Sequence, residues 1–467
     1  MSPSLALSVW LVLLLVLLSF DPARVKGMSL AMWVPVIWMF IAGSRLASQW
    51  FGMNRVGTVA QALEEGNPLD RTISSILILL AIAILMSRSF KWIDFLRRNF
   101  ALVAFLLFAL FSVLWSDFPF IAFKRWFRDL GNYLVILVVL SDPRPLDAVR
   151  TLLRRLCYLL VPLSILLIKY FPAIGRQYEV WSGSVNFVGA ATSKNMLGAI
   201  CLISGIFFFW DTVTRWTERR ERHTKRIITA NLALMAMTFW LLSLARSATS
   251  TVCLVIGCVV ILAVHSKWSK RHPTFLKVSI PAIFCLYIIL AFGFGLSGEF
   301  ASQVGRDPTL TERTLIWSTV LNMHTNPLVG TGYQTFWLGP RLFKVWEAIP
   351  GINEAHNGYL DVYLNLGIIG LALVLGFLIT CYGRLCKQIG TSFPLTSLSL
   401  AVWTILLFYN VTEAAFCGGL LWMILLPGSI ALSRTIEDQR PIVAAVNNVN
   451  IARPFPGPSL EVTSQRR

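Results

Sequence analysis

The stretch Tyr359–Cys381, YLDVYLNLGIIGLALVLGFLITC, holds one charged residue, Asp361, in a run long enough to cross a bilayer as a single helix. A core strand or helix of a soluble domain has no need of so long an unbroken apolar run, so this stretch decides the fold class. The rest of the chain agrees with it. Over 467 residues, 56% are AVILMFWYC and 14% are DEKR, against about 45–50% apolar and about 25% charged in soluble domains. At roughly 20 residues per crossing, twelve helices use about 240 residues, which leaves space for one long loop but no second large globular domain. Soluble enzyme folds are excluded.

Working outward from that run, further apolar stretches lie near residues 5–20, 28–42, 72–86, 99–115, 130–141, 156–170, 196–213, 227–244, 251–265, 278–296, 394–409 and 416–433. The expectation is an all-α polytopic membrane protein with about twelve transmembrane helices, or thirteen if the first stretch also crosses. That first stretch has no basic residues before it, ends in Asp21-Pro22 and is followed by Met28, so residues 1–27 read as an apolar N-terminal extension or an extra span. Residues 28–296 form the first part of the bundle, 297–357 a long extracytoplasmic loop with short helices, and 358–433 the C-terminal transmembrane helices. Residues 434–467, with Pro441, Pro454, Pro456 and Pro458, read as a disordered cytoplasmic tail. Trp50, Trp115, Trp181 and Trp210 stand near segment ends and are expected to anchor at the interface.

The net charge is +18, from 41 Lys/Arg and 23 Asp/Glu. The basic residues sit in short tracts between apolar stretches, such as RWTERRERHTKR at 215–226, which suits anionic lipid rather than nucleic acid. Sorting the connections alternately puts roughly two thirds of the 41 on the side that begins with Arg24 and Lys26. That side is cytoplasmic by the positive-inside rule, so residues 297–357 face outward, in a bacterium the periplasmic side of the inner membrane. None of the eight cysteines has CxxC or Cys/His ligand spacing, and no metal or other cofactor is expected.

Several outward residues carry chemistry. Arg246 is alone in a very short turn between two spans, against the charge trend, where its planar fork suits phosphate oxygens; a salt bridge to Asp361 or Glu413 is the structural alternative. Lys194 and Asn195 stand just before a span and could contact phosphate or sugar. Trp115-Ser-Asp117-Phe-Pro119 is followed by Lys124, Arg125 and Arg128 among Phe120, Phe123, Trp126 and Phe127, a pattern that can lie in the headgroup plane. In the long loop, Thr309-Leu-Thr-Glu312 has capping-box spacing. Leu315, Ile316, Val320 and Leu321 follow at helical intervals until Asn326-Pro327, with Arg313 in the first turn, either paired with Glu312 or free for a ligand. His356 precedes the run that opened this section. A neutral imidazole, with a pKa of about 6.5, could accept a proton there; a polar helix cap is the plainer reading.

His356, Asn357, nine residues, Gly367, two residues and Gly370 fit the H-[NSQ]-x9-G-x-x-G pattern of the bacterial O-antigen ligase and exopolysaccharide polymerase superfamily. Gly305-Arg306 to Arg313-Thr-Leu-Ile-Trp317, Asn326-Pro327-Leu-Val-Gly330-Thr-Gly332, the WSDFP segment, Arg246-Ser247 and Lys194-Asn195 resemble the same family, over most of the chain from about Ala42 to Leu432. The resemblance implies transfer of a glycan from undecaprenyl diphosphate to an acceptor hydroxyl on the outer face of the bilayer, without a metal. It implies Arg246 and Arg313 as the cations that meet the departing diphosphate, with Arg306 as the other candidate for the loop arginine. His356 is implied to orient or deprotonate the acceptor, with Lys194, Asn195, Asn357, Arg125 and Arg128 contacting substrate.

The leading expectation is a polymerase of exopolysaccharide or O-antigen repeat units. The alternative is a ligase that places a finished chain on lipid A-core; a polysaccharide-lipid transporter ranks below both. Partners in this reading are the lipid-linked donor, a sugar or lipid A-core acceptor, the bilayer and a possible chain-length regulator.

Overall fold

Inside a bilayer the backbone of an apolar run has no water to bond, so each run closes its own hydrogen bonds as a helix. The computed structural model describes residues 1–21, 29–53, 66–178, 183–216, 219, 221–293, 311–389 and 395–432. Arg306, Trp181 and the 434–467 tail lie outside the described residues. In chain order the main helices are α1 (Pro3–Ser19), α2 (Trp33–Gly43), α3 (Pro68–Ser87), α4 (Phe100–Phe111), α5 (Pro119–Leu140), α6 (Pro145–Tyr170), α7 (Lys194–Arg215) and α8 (Arg222–Ala245). There follow α9 (Ala248–His265), α10 (Pro273–Ile288), α11 (Thr311–Leu321), α12 (Gly339–Ala348), α13 (Gly358–Gln388), α14 (Leu395–Thr412) and α15 (Gly419–Ser429). All thirteen apolar stretches are helical in whole or in part. The chain is an all-α polytopic membrane protein.

Eight described helices are long and apolar enough to cross a membrane: α3, α6 to α10, α13 and α14. The short helix Trp92–Arg98 and Phe100–Trp115, bent by 96° to one another, make a ninth if they form one span. The difference from twelve or thirteen has physical causes. Helices α1, α2 and α15 are shorter than a full crossing, and α5 carries Lys124, Arg125, Arg128 and Asp129 in its first half. Helices α6 and α14, each with 89% of its apolar window buried, form the centre of the bundle, whereas α10, with 11%, lies at its periphery.

Two polar clamps set the ends of α7, whose first turn carries Lys194 and Asn195. At the near end, Arg45 donates to the carbonyls of Ile174 and Ala191 at 2.6 and 2.8 Å. It thereby fixes the connection that holds the antiparallel strands β1 (Arg176–Tyr178) and β2 (Val185–Phe187) before α7 begins. At the far end, the fully buried Asp211 accepts from Arg154 of α6 at 2.8 Å, Arg215 at 2.9 Å and Asn231 of α8 at 3.0 Å. Arg155 adds a 2.8 Å pair with Asp21, just beyond α1, so these charges form a buried ion cluster. Trp210 corrects a second expectation. It is fully buried, donates to Ser397 of α14 at 3.1 Å and lies under the Arg150 guanidinium, so it is a core residue rather than an interfacial anchor.

Helix α13 is broken at Gly367, where φ is 64°. The freed backbone groups are taken up by the segment 327–332. Ile368 and Ile369 donate to the carbonyls of Pro327 and Leu328 at 2.9 and 3.1 Å, and Gly332 donates to Asn365 at 2.9 Å. Non-helical backbone inside a membrane protein persists only where protein satisfies it in this way. A Cβ on Gly367 would come within 2.2 Å of the Leu328 backbone, which accounts for the glycine.

Removing the Asp211 carboxylate leaves the buried Arg154 and the half-buried Arg215 without their shared counter-ion, a change that typically costs about 3–5 kcal/mol. Asp211→Ala is therefore expected to lose stability of that order in denaturant titrations of the detergent-solubilised protein. A loss under about 1 kcal/mol, the range of exposed pairs, would contradict the buried cluster.

Candidate functional site

The site forms where the start of α13, the end of α14, the start of α7 and the first turn of α11 meet. Asn357 caps α13, its Oδ1 accepting from the backbone N–H of Tyr359 at 3.0 Å and of Leu360 at 3.1 Å. That carboxamide oxygen has a structural task, whatever else the side chain does. The residue before it, His356, adopts a left-handed backbone with φ of 48°. For a residue with a Cβ this conformation persists only where the surroundings over-determine it, and they do. Trp317 of α11 donates to the Ala355 carbonyl at 2.9 Å, while the Ala355 N–H donates to the Asp361 carboxylate at 3.2 Å. Asp361 is in turn held by Trp337, whose indole donates at 2.9 Å.

Glu413, one residue past α14, gathers the expected site residues. It is 5% exposed. Its carboxylate accepts from Asn195 Nδ2 at 3.1 Å to either oxygen and from Arg313 Nη2 at 3.2 Å, and its Oε2 lies 3.4 Å from His356 Nδ1. Its backbone carbonyl accepts from Gly358 N–H at 3.0 Å, which locks the start of α13 to the end of α14. Arg313 thus pairs with Glu413, while the Glu312 side chain lies outside the described residues. Glu413 was legible only as a possible partner of Arg246; its real signal is a carboxylate stranded at the end of an apolar span. Arg246 stands at the same end of the bundle on the turn between α8 and α9, exposed and with φ of 48°. Thr249, in the first turn of α9, bonds Thr412, next to Glu413, at 2.8 Å.

His356 Nδ1 is 3.0 Å from Glu354 Oε1 as well as 3.4 Å from Glu413, although neither approach has the alignment of a regular hydrogen bond. The two carboxylates, Glu354 first and Glu413 second, push the imidazole pKa up to about 10 against the opposing effect of burial. That shift favours the imidazolium at neutral pH over the neutral base expected from the sequence. Glu354, His356 and Glu413 also present three ligand atoms within 4.8 Å of one another, the donor set of a divalent-metal site. Arg313 and the proton on His356 already place two positive charges on those carboxylates, so the donor set fits a bound metal poorly.

Arg125 and Arg128 lie on another face of the same end. Arg125 donates to the Gln334 carbonyl, and Arg128 pairs with the buried Asp129 at 3.2 Å. Asp129 also accepts from Tyr333 at 3.1 Å and Gln334 at 2.6 Å. Burial raises the Tyr333 hydroxyl pKa well above 10, with Asp129 adding to it. A cavity of about 540 Å³ runs beside α3 and α5, with Arg71, Lys124, Arg125 and Arg128 set among Phe120 and Phe123. A second cavity, of about 280 Å³, reaches from Arg125 and Gln334 to Glu354 beside His356.

Raising a folded-state pKa means the paired imidazolium stabilises the fold fully below about pH 6.5, and that contribution is lost as pH rises through about 10. Diethyl pyrocarbonate acylates only neutral imidazole. In the wild type, peptide mass spectrometry is expected to find His356 resistant at pH 7 and modified only above about pH 9, whereas Glu354→Gln brings modification toward neutral pH. Full reaction of wild-type His356 at pH 7 would contradict the ion cluster.

Two similarities bear on what this geometry belongs to. Residues 230–375 match the family described as O-antigen ligase. Those bounds take in Arg246, Arg313, His356, Glu354 and Gly367, and stop before Glu413. The chain is also 27% identical over 297 residues to "Exopolysaccharide production protein ExoQ" of Rhizobium meliloti (strain 1021). That match covers 61% of this chain and 65% of that relative, slightly less than two thirds of its length. The matched segment carries the His356 motif and the broken helix that supports it, so it is over this part of the chain that the protein is similar to the O-antigen ligase family.

Proposed function

We propose that this protein is a membrane glycosyltransferase that moves a glycan from undecaprenyl diphosphate to an acceptor sugar hydroxyl, polymerising exopolysaccharide or O-antigen repeat units. The observation that carries the reading is the Glu413 cluster, which holds Arg313, Asn195 and an imidazolium at one end of the bundle. As the anomeric C–O bond to the diphosphate breaks, negative charge grows on the departing oxygens. Cations fixed beforehand stabilise that charge more in the transition state than in the ground state. Arg313 gives one edge of its fork to Glu413 and has the remaining donors for phosphate. Arg246 and protonated His356 complete the positive set, and Lys194, at the start of α7, flanks it.

The cationic, aromatic-lined cavity along α3 and α5 suits a lipid phosphate, with Arg125 and Arg128 as its contacts. The charge distribution along the sequence supports a site on the periplasmic side of the inner membrane, with residues 297–357 outward and about twelve crossings in all. The chemistry needs no metal, because the protein supplies its own positive charges. The name of the R. meliloti relative favours exopolysaccharide over lipid A-core as the destination. Ligation to lipid A-core is the second reading, since it would use the same donor and cluster. The partners proposed are the lipid-linked donor, the acceptor glycan, the bilayer and a chain-length regulator.

Purified protein in detergent, given lipid-linked repeat units, is expected to extend them, and EDTA is expected to leave the rate unchanged. Arg313→Ala and His356→Ala should abolish extension while the protein still inserts and purifies. Wild-type turnover in either variant would remove that residue from the reaction, and a rate lost to EDTA and restored by a divalent ion would replace the metal-free mechanism. Deleting the gene should leave single repeats on the carrier; long unattached chains would favour ligation instead.

A further inference from the structure

The cavity of about 280 Å³ beside His356 differs in chemistry from the cationic cluster. Its walls include the aromatic rings of Trp337 and Phe416, and its polar groups include Asn353, Glu354 and Asp361. Asp361 is committed, since its carboxylate accepts from Trp337 and from Ala355. Glu354 is different. Its side chain is 41% exposed, and its Oε1 is held 3.0 Å from His356 Nδ1, which leaves the second oxygen for a ligand. Asn353 stands exposed at the mouth, offering both a donor and an acceptor.

Arg125 lines the far part of the cavity, but beside His356 a diphosphate would meet two carboxylates. A sugar ring would meet groups suited to it: apolar ring faces for its C–H surface, and an amide and a carboxylate for its hydroxyls. The volume lies at the lower edge of the ~300–1,000 Å³ usual for small-molecule sites, a fit for a terminal sugar rather than a long chain.

We propose that this cavity is the acceptor-sugar subsite, and that Glu354 is the base that receives the proton of the attacking hydroxyl. The inference rests on the glycosyltransferase reading above and deepens it. In the step, the acceptor oxygen forms a bond to the anomeric carbon with its own electron pair. The bond from that carbon to the diphosphate breaks, its pair leaving on the diphosphate oxygen, and the hydroxyl proton moves to the Glu354 carboxylate. His356 keeps its proton throughout and acts as the cation whose Nδ1 faces both Glu354 and Glu413. This division of labour resolves how a site whose histidine is already protonated can still activate a hydroxyl.

The test uses the full-length protein in detergent. The donor is the lipid-linked repeat unit isolated from the producing cells; the acceptor is the same oligosaccharide freed from lipid and blocked as a methyl glycoside. Asn353→Ala is expected to raise the acceptor KM by about tenfold with donor KM and kcat retained. Glu354→Gln is expected to lower kcat by about 10²–10⁴-fold, the usual worth of a general base, with donor KM unchanged and partial recovery in Glu354→Asp. Turnover of Glu354→Gln within threefold of wild type, or a raised donor KM in Asn353→Ala, would overturn the subsite while leaving the transferase reading intact. Absence of any transfer by the wild type would overturn both.

Discussion

A single buried carboxylate organises the working end of this bundle. Glu413 is reached by Asn195 from the start of α7, by Arg313 from the first turn of α11 and by His356 from the residue pair ahead of α13. These groups come from parts of the chain far apart in sequence, and a charge so nearly sealed from water persists only where partners satisfy it. Without Glu413, two cations would stand close together in a poorly solvated space with nothing to hold them in register. Its backbone carbonyl, bonded to Gly358, makes the same residue the joint between α13 and α14.

The scaffold delivers the partners to Glu413 with little freedom. Helix α7 is tied at one end by the Asp211 ion cluster and preceded at the other by the Arg45 clamp, which fixes where Asn195 points. The break at Gly367 lets the segment 327–332 bond directly into α13, so this segment is built into the bundle rather than draped over it. Trp317 and Asp361 then grip Ala355 from its carbonyl and its N–H, and the strained His356 backbone follows.

What could be read from the sequence follows the same division. The apolar runs were legible because a bilayer admits few alternatives to a helix, and the His356–Gly370 spacing was legible as a motif. The reason for Gly367 was not, since the Leu328 backbone that excludes a side chain arrives from a distant loop. The ionisation of His356 was also hidden: a lone histidine at a helix start gives no hint of two carboxylates. Trp210 read as an interfacial anchor because position along a segment says nothing about which neighbours cover it. Crossing number was legible only loosely, because α5 mixes charges into a span and α4 continues from a sharply bent partner.

The functional consequence is a site whose positive charge is preset rather than acquired on binding. In the proposed reaction, cations held by a carboxylate cost no reorganisation when the diphosphate departs, and Glu354, the second carboxylate at His356 Nδ1, is left to deal with the incoming hydroxyl. The most direct measurement is glycan transfer by purified Glu413→Gln, an isosteric change that removes the charge and keeps the volume. Transfer is expected to fall at least a hundredfold, a loss of about 2.7 kcal/mol in transition-state stabilisation, with the protein still folded. Transfer within threefold of wild type would contradict the organising role of Glu413.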